Sequence, residues 1–450
     1  MYRKLPFYIV LISSLLPMIA AYNDSKIITQ IPALFALIIF LFFHLLTGFN
    51  NFKFSRNIYF VGGVVIFYCT VSLIRNGEIA SFGSIGVIVL SIVFFSMLNS
   101  GNYLLKTLVR QVSIIYILHI LYIYFEITAR ISGYEYLFID FFGVRSSASP
   151  QVAITYFKDY NSAVLLRYFG FSINGANSLL LGSQSASMLA LFSIIWFSKI
   201  FKGNFFDKST LFPRSLLICS LFLYPFVATM TMNFVFIMLI GLFFLFRNKR
   251  VKISTISFFL LIILLPFGKF IFDLITFRVR SIADVDEYTA LFSFLLFDFM
   301  DVDWVSKIFG SGKYYLSEIG ITQYTAAGRP IGSGDFGLGH ILYSAGLILS
   351  LLAVFSLITI FFKVWTLVNK SKINGLLEDP WVGFMSINLI IIFGYFLSLS
   401  HYTPAIEFGG RELFAFHIAL TLLSIKRVRS LIRNYANISK NKPLNSMENS

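Results

Sequence analysis

The feature that most constrains this chain is the repetition of long apolar runs carrying almost no charge. They lie at 5–22, 28–49, 57–74, 79–98, 107–127, 178–198, 215–230, 231–246, 254–274, 338–362, 382–400 and 412–425, and leave little of the 450 residues for a soluble core. About 20 apolar residues cross the hydrocarbon core of a bilayer as a helix. Inside that core a chain must satisfy its own backbone polar groups, which restricts it to helices or closed barrels. The runs are too long for barrel strands and lack their alternating polar positions. The expected fold is an all-α polytopic membrane protein of about twelve transmembrane helices, with 215–230 and 231–246 paired as a tight hairpin. Composition agrees, since AVILMFWYC make up 57% and DEKR only 13%. That charged share is about half the ~25% of an ordinary soluble domain.

The net charge of +15 would suit a nucleic-acid partner in a soluble protein, but in a membrane protein the placement of Lys and Arg decides its meaning. With Met1 in the cytoplasm, twelve spans return the C-terminus there, and 23 of the 36 basic residues fall on that side. The cytoplasmic side then carries +19 and the external side −4. Topology accounts for the basic excess, so no nucleic acid is called for. Residues 1–425 form one integral membrane domain, and 426–450 are expected as a basic cytoplasmic tail lying near anionic lipid. Arg3 and Lys4 before an apolar run resemble a signal peptide, but no clear cleavage site follows, so the segment is expected to be retained. Cys69 and Cys219 both fall in expected spans, which indicates neither a disulfide framework nor a metal site.

Two segments are too polar to be spans, about 128–177 and 275–337, and both are expected as large external loops, where function concentrates. The second contains an amphipathic stretch after Arg278 and Arg280 and ends in a run with nine glycines between Gly310 and Gly346. Glycine permits close backbone approach and unusual φ/ψ, though a flexible loop would look the same. External basic residues favour Arg over Lys by eight to five, whereas the cytoplasmic ones count nine Arg to fourteen Lys. Arginine's planar fork fits phosphate and carboxylate. On a net-negative face this suggests discrete anion contacts, with ion pairing to a nearby Asp or Glu as the structural alternative.

Three stretches carry a resemblance: Arg167-Tyr-Phe-Gly170-Phe with Asn174 and Asn177; Ile308-Phe-Gly310-Ser-Gly312; and Gly334-Asp335-Phe-Gly337 through Leu342-Tyr343 to Gly346-Leu347. With some twelve spans and two large external loops, the chain resembles the bacterial O-antigen and exopolysaccharide polymerases, and more distantly the O-antigen ligases. Asp335 stands where the ligases carry a His, which favours polymerase, with His340 shortly after it. An Arg-x10-Gly pattern found in some polymerase loops is absent here.

The resemblance implies a glycosyltransferase in the bacterial inner membrane. It would move a growing glycan from undecaprenyl diphosphate to another lipid-linked oligosaccharide repeat unit, which serves as acceptor, at the outer face. A flippase and a chain-length regulator are implied as partners. The reaction needs a base for the attacking hydroxyl and cations for the departing diphosphate. No cofactor or metal is expected, because arginines can neutralise the leaving group and no metal-ligand spacing occurs. Asp335 is the expected base, Arg167, Arg278 and Arg280 the diphosphate contacts, and Arg329 and His340 further substrate-binding candidates.

The last external loop adds His401 as a catalytic candidate and Arg411 as a substrate contact, against an interfacial histidine and an Arg411–Glu407 ion pair. For Asp335 the structural alternative is a helix N-cap. His44, His119 and His417 are expected to be structural. A lipid-linked oligosaccharide flippase or other transporter is the reading from a different class. Repeated halves are not evident, and Ser183, Ser185 and Ser187 are the polar residues within a span that favour it.

Overall fold

A computed structural model describes residues 4–23, 31–47, 63, 67, 70, 74, 82–99, 104–132, 183–202, 212–227, 230–247, 303–310, 323–324, 330–331, 337–398 and 410–440. Apart from one two-residue strand pair, the elements among them are helices. These are α1 (Leu5–Asn23), α2 (Ile31–Thr47), α3 (Phe82–Asn99), α4 (Leu105–Ile131), α5 (Ser183–Lys202), α6 (Phe212–Val227) and α7 (Met230–Arg247). They continue with α8 (Trp304–Phe309), β1 (Gln323–Tyr324), β2 (Pro330–Ile331), α9 (Gly337–Ile373), α10 (Pro380–Ser398) and α11 (Gly410–Lys440). The strands pair antiparallel, Gln323 opposite Ile331.

Among the described residues three helical stretches are long and apolar enough to cross a membrane: Leu105–Thr128, Ala345–Ile373 and Pro380–Ser398. Shorter apolar helices cover Leu5–Leu16, Ile31–Phe42, Gly86–Asn99, Ser185–Ile200 and Pro213–Tyr224. Of the expected spans, 254–274 lies outside the described residues, and 57–74 is described only at 63, 67, 70 and 74. Several buried serines return their hydroxyls to the helix that carries them, as Ser14 does to Val10 O (2.8 Å), Ser91 to Val87 O (2.6 Å) and Ser193 to Leu189 O (2.7 Å). Such i−4 bonds let a polar residue sit in an apolar bundle without an orphaned donor.

Most ends shift by a few residues, and three differences have a local cause or a larger extent. The α6–α7 break falls between Val227 and Met230. Helix α9 runs on to Ile373 instead of ending at 362, because its stop signal is Gly375. Gly375 (φ 68°) gives its N–H to Lys372 O at 3.2 Å, and Leu376 N donates to Ser371 O at 2.7 Å, which together form a Schellman cap. Asp379 Oδ1 then accepts from Trp381 N at 2.8 Å and, with Pro380 in the first helical position, starts α10. The third difference is α11, which stays helical through Lys440, so most of the expected tail continues the apolar helix. Between Lys426 and Lys440 there is neither Gly nor Pro to end it.

Ring contacts at successive levels fix helix directions. Helices α3 and α11 run parallel, from the Gly86–Arg411 contact through Phe94–Phe416 (6.1 Å, edge-on) to the Lys426 Nζ–Asn99 Oδ1 bond of 2.6 Å. Helices α5 and α10 are antiparallel, since Phe192 meets Tyr395 while Trp196 meets Phe384. Helices α10 and α11 are antiparallel as well, with Tyr395 against Phe414 and Asn388 bonded to His417. Helix α9 folds back on α10 through the turn at Gly375 and meets it again at Phe361–Phe393 (5.4 Å).

Candidate functional site

One end of α3 gathers three parts of the chain that are far apart in sequence. Gly86 lies under Arg411, and a Cβ at position 86 would stand 3.0 Å from Arg411 Cδ and 3.5 Å from Nε. A glycine here lets the guanidinium stem lie flat across the helix. Ile88 and Val89 of α3 pack on a small cluster formed by Ala345 and Leu349 of α9. Between those two residues lies Gly346, where α9 breaks at φ 73°, ψ 175°. Helix α8 seats on that break. A Cβ at Gly346 would stand 2.6 Å from Ile308 O and Phe309 C and would collide with Gly310 N, so the contact is backbone on backbone.

Helix α8 is short but firmly ended. Asp303 caps it, accepting from Ser306 N at 3.1 Å and from the Ser306 hydroxyl at 2.5 Å, and Gly310 (φ 85°) closes it by donating to Ser306 O at 2.7 Å. Two glycines at positive φ therefore meet face to face, one at the end of α8 and one in the break of α9.

Arg411 is 1% exposed and Glu412 fully buried. Arg411 Nε donates to Glu412 Oε1 at 2.9 Å and Nη2 donates to the same oxygen. Glu412 also stands in the first turn of α11, where the positive end of the helix dipole favours a carboxylate. Pairing is what makes so deep a burial of both charges tolerable. Glu407, the partner expected from sequence, lies outside the described residues.

Of the residues expected to act on substrate, Arg411 is the one whose side chain is described, and it holds α11 against α3. His340 is placed on the first turns of α9 by its backbone. Asp335, His401, Arg167, Arg278, Arg280 and Arg329 lie outside the described residues.

Deeper in the bundle sits a polar knot that ties four helices. Asn388 Nδ2 donates to Phe384 O at 2.7 Å, which turns Oδ1 toward His417 Nδ1, 2.7 Å away. Nδ1 therefore carries the proton, and Nε2 of the neutral ring accepts from the Tyr116 hydroxyl at 2.9 Å. Trp196 packs on Tyr116 with 6.0 Å between ring centres and donates Nε1–H to Ser113 Oγ at 3.0 Å. Helices α4, α5, α10 and α11 are thus joined by groups that apolar packing would not orient. His119 is also fully buried, and neither ring nitrogen has a hydrogen-bond partner among the described residues. Ser185 and Ser187 are buried too.

Sequence reasoning passed over Gly86, Asn388, Tyr116 and Ser113. Each acts through a partner more than 25 residues away in sequence, and a single sequence carries no signal for that. No model of a protein family matches the chain, and neither does any curated protein or solved structure. Among the described residues, fold and site define a helical protein, apart from one two-residue strand pair, in which three helical stretches are long and apolar enough to cross a membrane. Among the described residues, the buried Arg411–Glu412 pair sits at the Gly86 end and the Asn388–His417–Tyr116 chain lies in the core.

Proposed function

We propose that the chain is a multi-pass polysaccharide polymerase of the bacterial inner membrane. It would transfer a growing glycan from undecaprenyl diphosphate to a lipid-linked repeat unit at the outer face. The observation that carries this reading is the meeting at α3. Two stretches that resemble the polymerase family, Ile308–Gly310 and Gly346–Leu347, are in backbone contact, and Arg411 in the first turn of α11 shares the same end of α3.

Helix directions support the expected alternation. Helix α7 is antiparallel to α10, because Leu239 lies by Gly394 and Phe246 lines a space with Ile387 and Ile390. Helix α9 is antiparallel to α10 as well, so α7 and α9 run parallel. An alternating chain achieves that by crossing once more between them, as an expected span at 254–274 does. Helices α3 and α11, the fourth and twelfth expected spans, are parallel as that count requires. Their Asn99–Lys426 end is the cytoplasmic end, which makes the Gly86–Arg411 end external.

In this reading Asp335 takes the proton from the acceptor hydroxyl. That oxygen bonds to the anomeric carbon of the donor glycan as the carbon–oxygen bond to the diphosphate breaks, and undecaprenyl diphosphate leaves with the electron pair. Arg167, Arg278, Arg280 and Arg329 offset its developing charge, with His340 and His401 at the sugar hydroxyls. Arg411, already paired with Glu412, positions the first turn of α11 at the site's edge.

The test is a gel of surface glycan from cells lacking the protein, complemented with wild type, Asp335→Ala or Arg278→Ala. Polymerisation predicts a single repeat on the lipid core, with the ladder restored by wild type alone. Polymer held on the carrier beside a bare core would instead mark a ligase. Absence of any repeat at the outer face would mark a transporter.

A further inference from the structure

Helix α8 has two faces. Ser306, Phe309 and Gly310 turn toward the bundle, Ser306 being 5% exposed and Gly310 seated on Gly346. Trp304, Val305 and Ile308 turn away at 75%, 49% and 36% exposure, and the Lys307 ammonium stands 4.8 Å from the centre of the Trp304 ring. The backbone contact with Gly346 fixes the level at which this face is held. Immediately past Gly346, α9 begins an exposed apolar stripe with Leu347, Ile348, Leu351 and Phe355, which is the surface a membrane-crossing helix offers to acyl chains. The exposed face of α8 therefore lies at the depth where the hydrocarbon of the bilayer begins. A tryptophan with an ammonium over its ring, flanked by branched aliphatics, matches that depth. Its ring is amphipathic, and the cation can reach the headgroups while its stem stays in apolar surroundings.

We infer that α8 is an interfacial anchor, docked through Trp304, Val305 and Ile308 into the headgroup–acyl boundary of the lipid bilayer. The glycine contact transmits that anchorage to the break in α9. The inference rests on the membrane placement of α9 and is independent of the reaction proposed above.

The full chain is tested in phosphatidylcholine vesicles containing lipids brominated either near the headgroup end of the acyl chain or deep within it, with iodide as the aqueous quencher. The chain has four tryptophans, so the emission of wild type minus that of Trp304→Phe isolates Trp304. The expected difference emission is quenched most by the shallow bromines, less by the deep ones and little by iodide. Strong quenching by iodide with no effect of either bromolipid places α8 in water and overturns the proposal. Shielding from all three quenchers that appears only at high protein-to-lipid ratio assigns the face to a second copy of the chain and overturns it equally. Should Trp304→Phe fail to fold, Val305→Cys in a Cys69→Ser, Cys219→Ser background carries a nitroxide to the same place. Greater collision with oxygen than with a water-soluble nickel chelate supports the anchor, and the reverse order refutes it.

Discussion

Replacing Gly346 with alanine puts a methyl group where the backbone of α8 already lies. Two costs arise at this one position. At φ 73°, ψ 175° an L-residue occupies a region that is essentially glycine's alone, which costs about 1–3 kcal/mol. The new Cβ would also stand 2.6 Å from Ile308 O and Phe309 C and collide with Gly310 N. These are backbone atoms that cannot rotate away, and overpacking of this kind costs a further ~1–3 kcal/mol. Together they come to about 2–6 kcal/mol, and because the clash lies between α8 and α9, the cheapest relief is for α8 to lift off. Gly375 supplies the control. It too has positive φ (68°), but open space surrounds the position of its missing Cβ, so Gly375→Ala incurs only the backbone cost of about 1–2 kcal/mol.

Hydrogen exchange of the purified protein, followed on the peptide covering 303–310, separates the two. Gly346→Ala should lower protection of the Gly310 and Lys307 amides by at least about tenfold, since 1.4 kcal/mol is a factor of ten. Gly375→Ala should leave that peptide unchanged. If the two variants leave the peptide equally protected, the glycine-on-glycine contact does not hold α8 and the reasoning fails.

Other expectations concern the core and the buried pair. Removing the Arg411 charge alone, as Arg411→Met, takes from the buried Glu412 carboxylate the cation that the described residues pair with it and should destabilise the protein by about 3–5 kcal/mol; Arg411→Met with Glu412→Leu should recover much of that in a thermal melt in detergent. Gly86→Val should act at the same place, because the branched side chain meets the Arg411 stem, with a loss of about 1–3 kcal/mol. Asn388→Leu leaves the Nδ1–H of His417 without its acceptor, at about 1–3 kcal/mol, and a double-mutant cycle with Tyr116→Phe should show non-additive losses. Gly394→Val should be tolerated less well than Gly241→Val, because only the former meets Phe192 and Leu239 at the α5–α7–α10 junction; the melting temperatures of the two variants decide.

Much of this architecture could be read from apolar runs alone, because a bilayer leaves a chain few alternatives. The expected run at 382–400 became α10 and that at 107–127 became α4, each with its ends shifted by a few residues. The boundaries that moved are those set by capping instead of hydropathy. Gly375 and Asp379-Pro380 are local signals, readable once a Schellman cap and an N-cap are looked for. The extension of α11 to Lys440 is not visible in hydropathy, because charge ends the membrane-embedded part of a helix and not the helix itself. The glycine-dense run signals backbone freedom, but its specific use, Gly310 against Gly346, depends on a contact across 36 positions that no local pattern records. The same holds for the Tyr116–His417 bond. For Arg411 the expected partner, Glu407, lies outside the described residues, and the described pairing is with the adjacent Glu412.

The most direct test of the central claim uses the purified chain in proteoliposomes with an undecaprenyl-diphosphate-linked repeat unit as both donor and acceptor. Polymerisation predicts a ladder of lipid-linked oligomers, with one undecaprenyl diphosphate released per linkage, and its loss in Asp335→Ala. Repeat units that cross the bilayer, or that stay single beside an intact and folded protein, would contradict it.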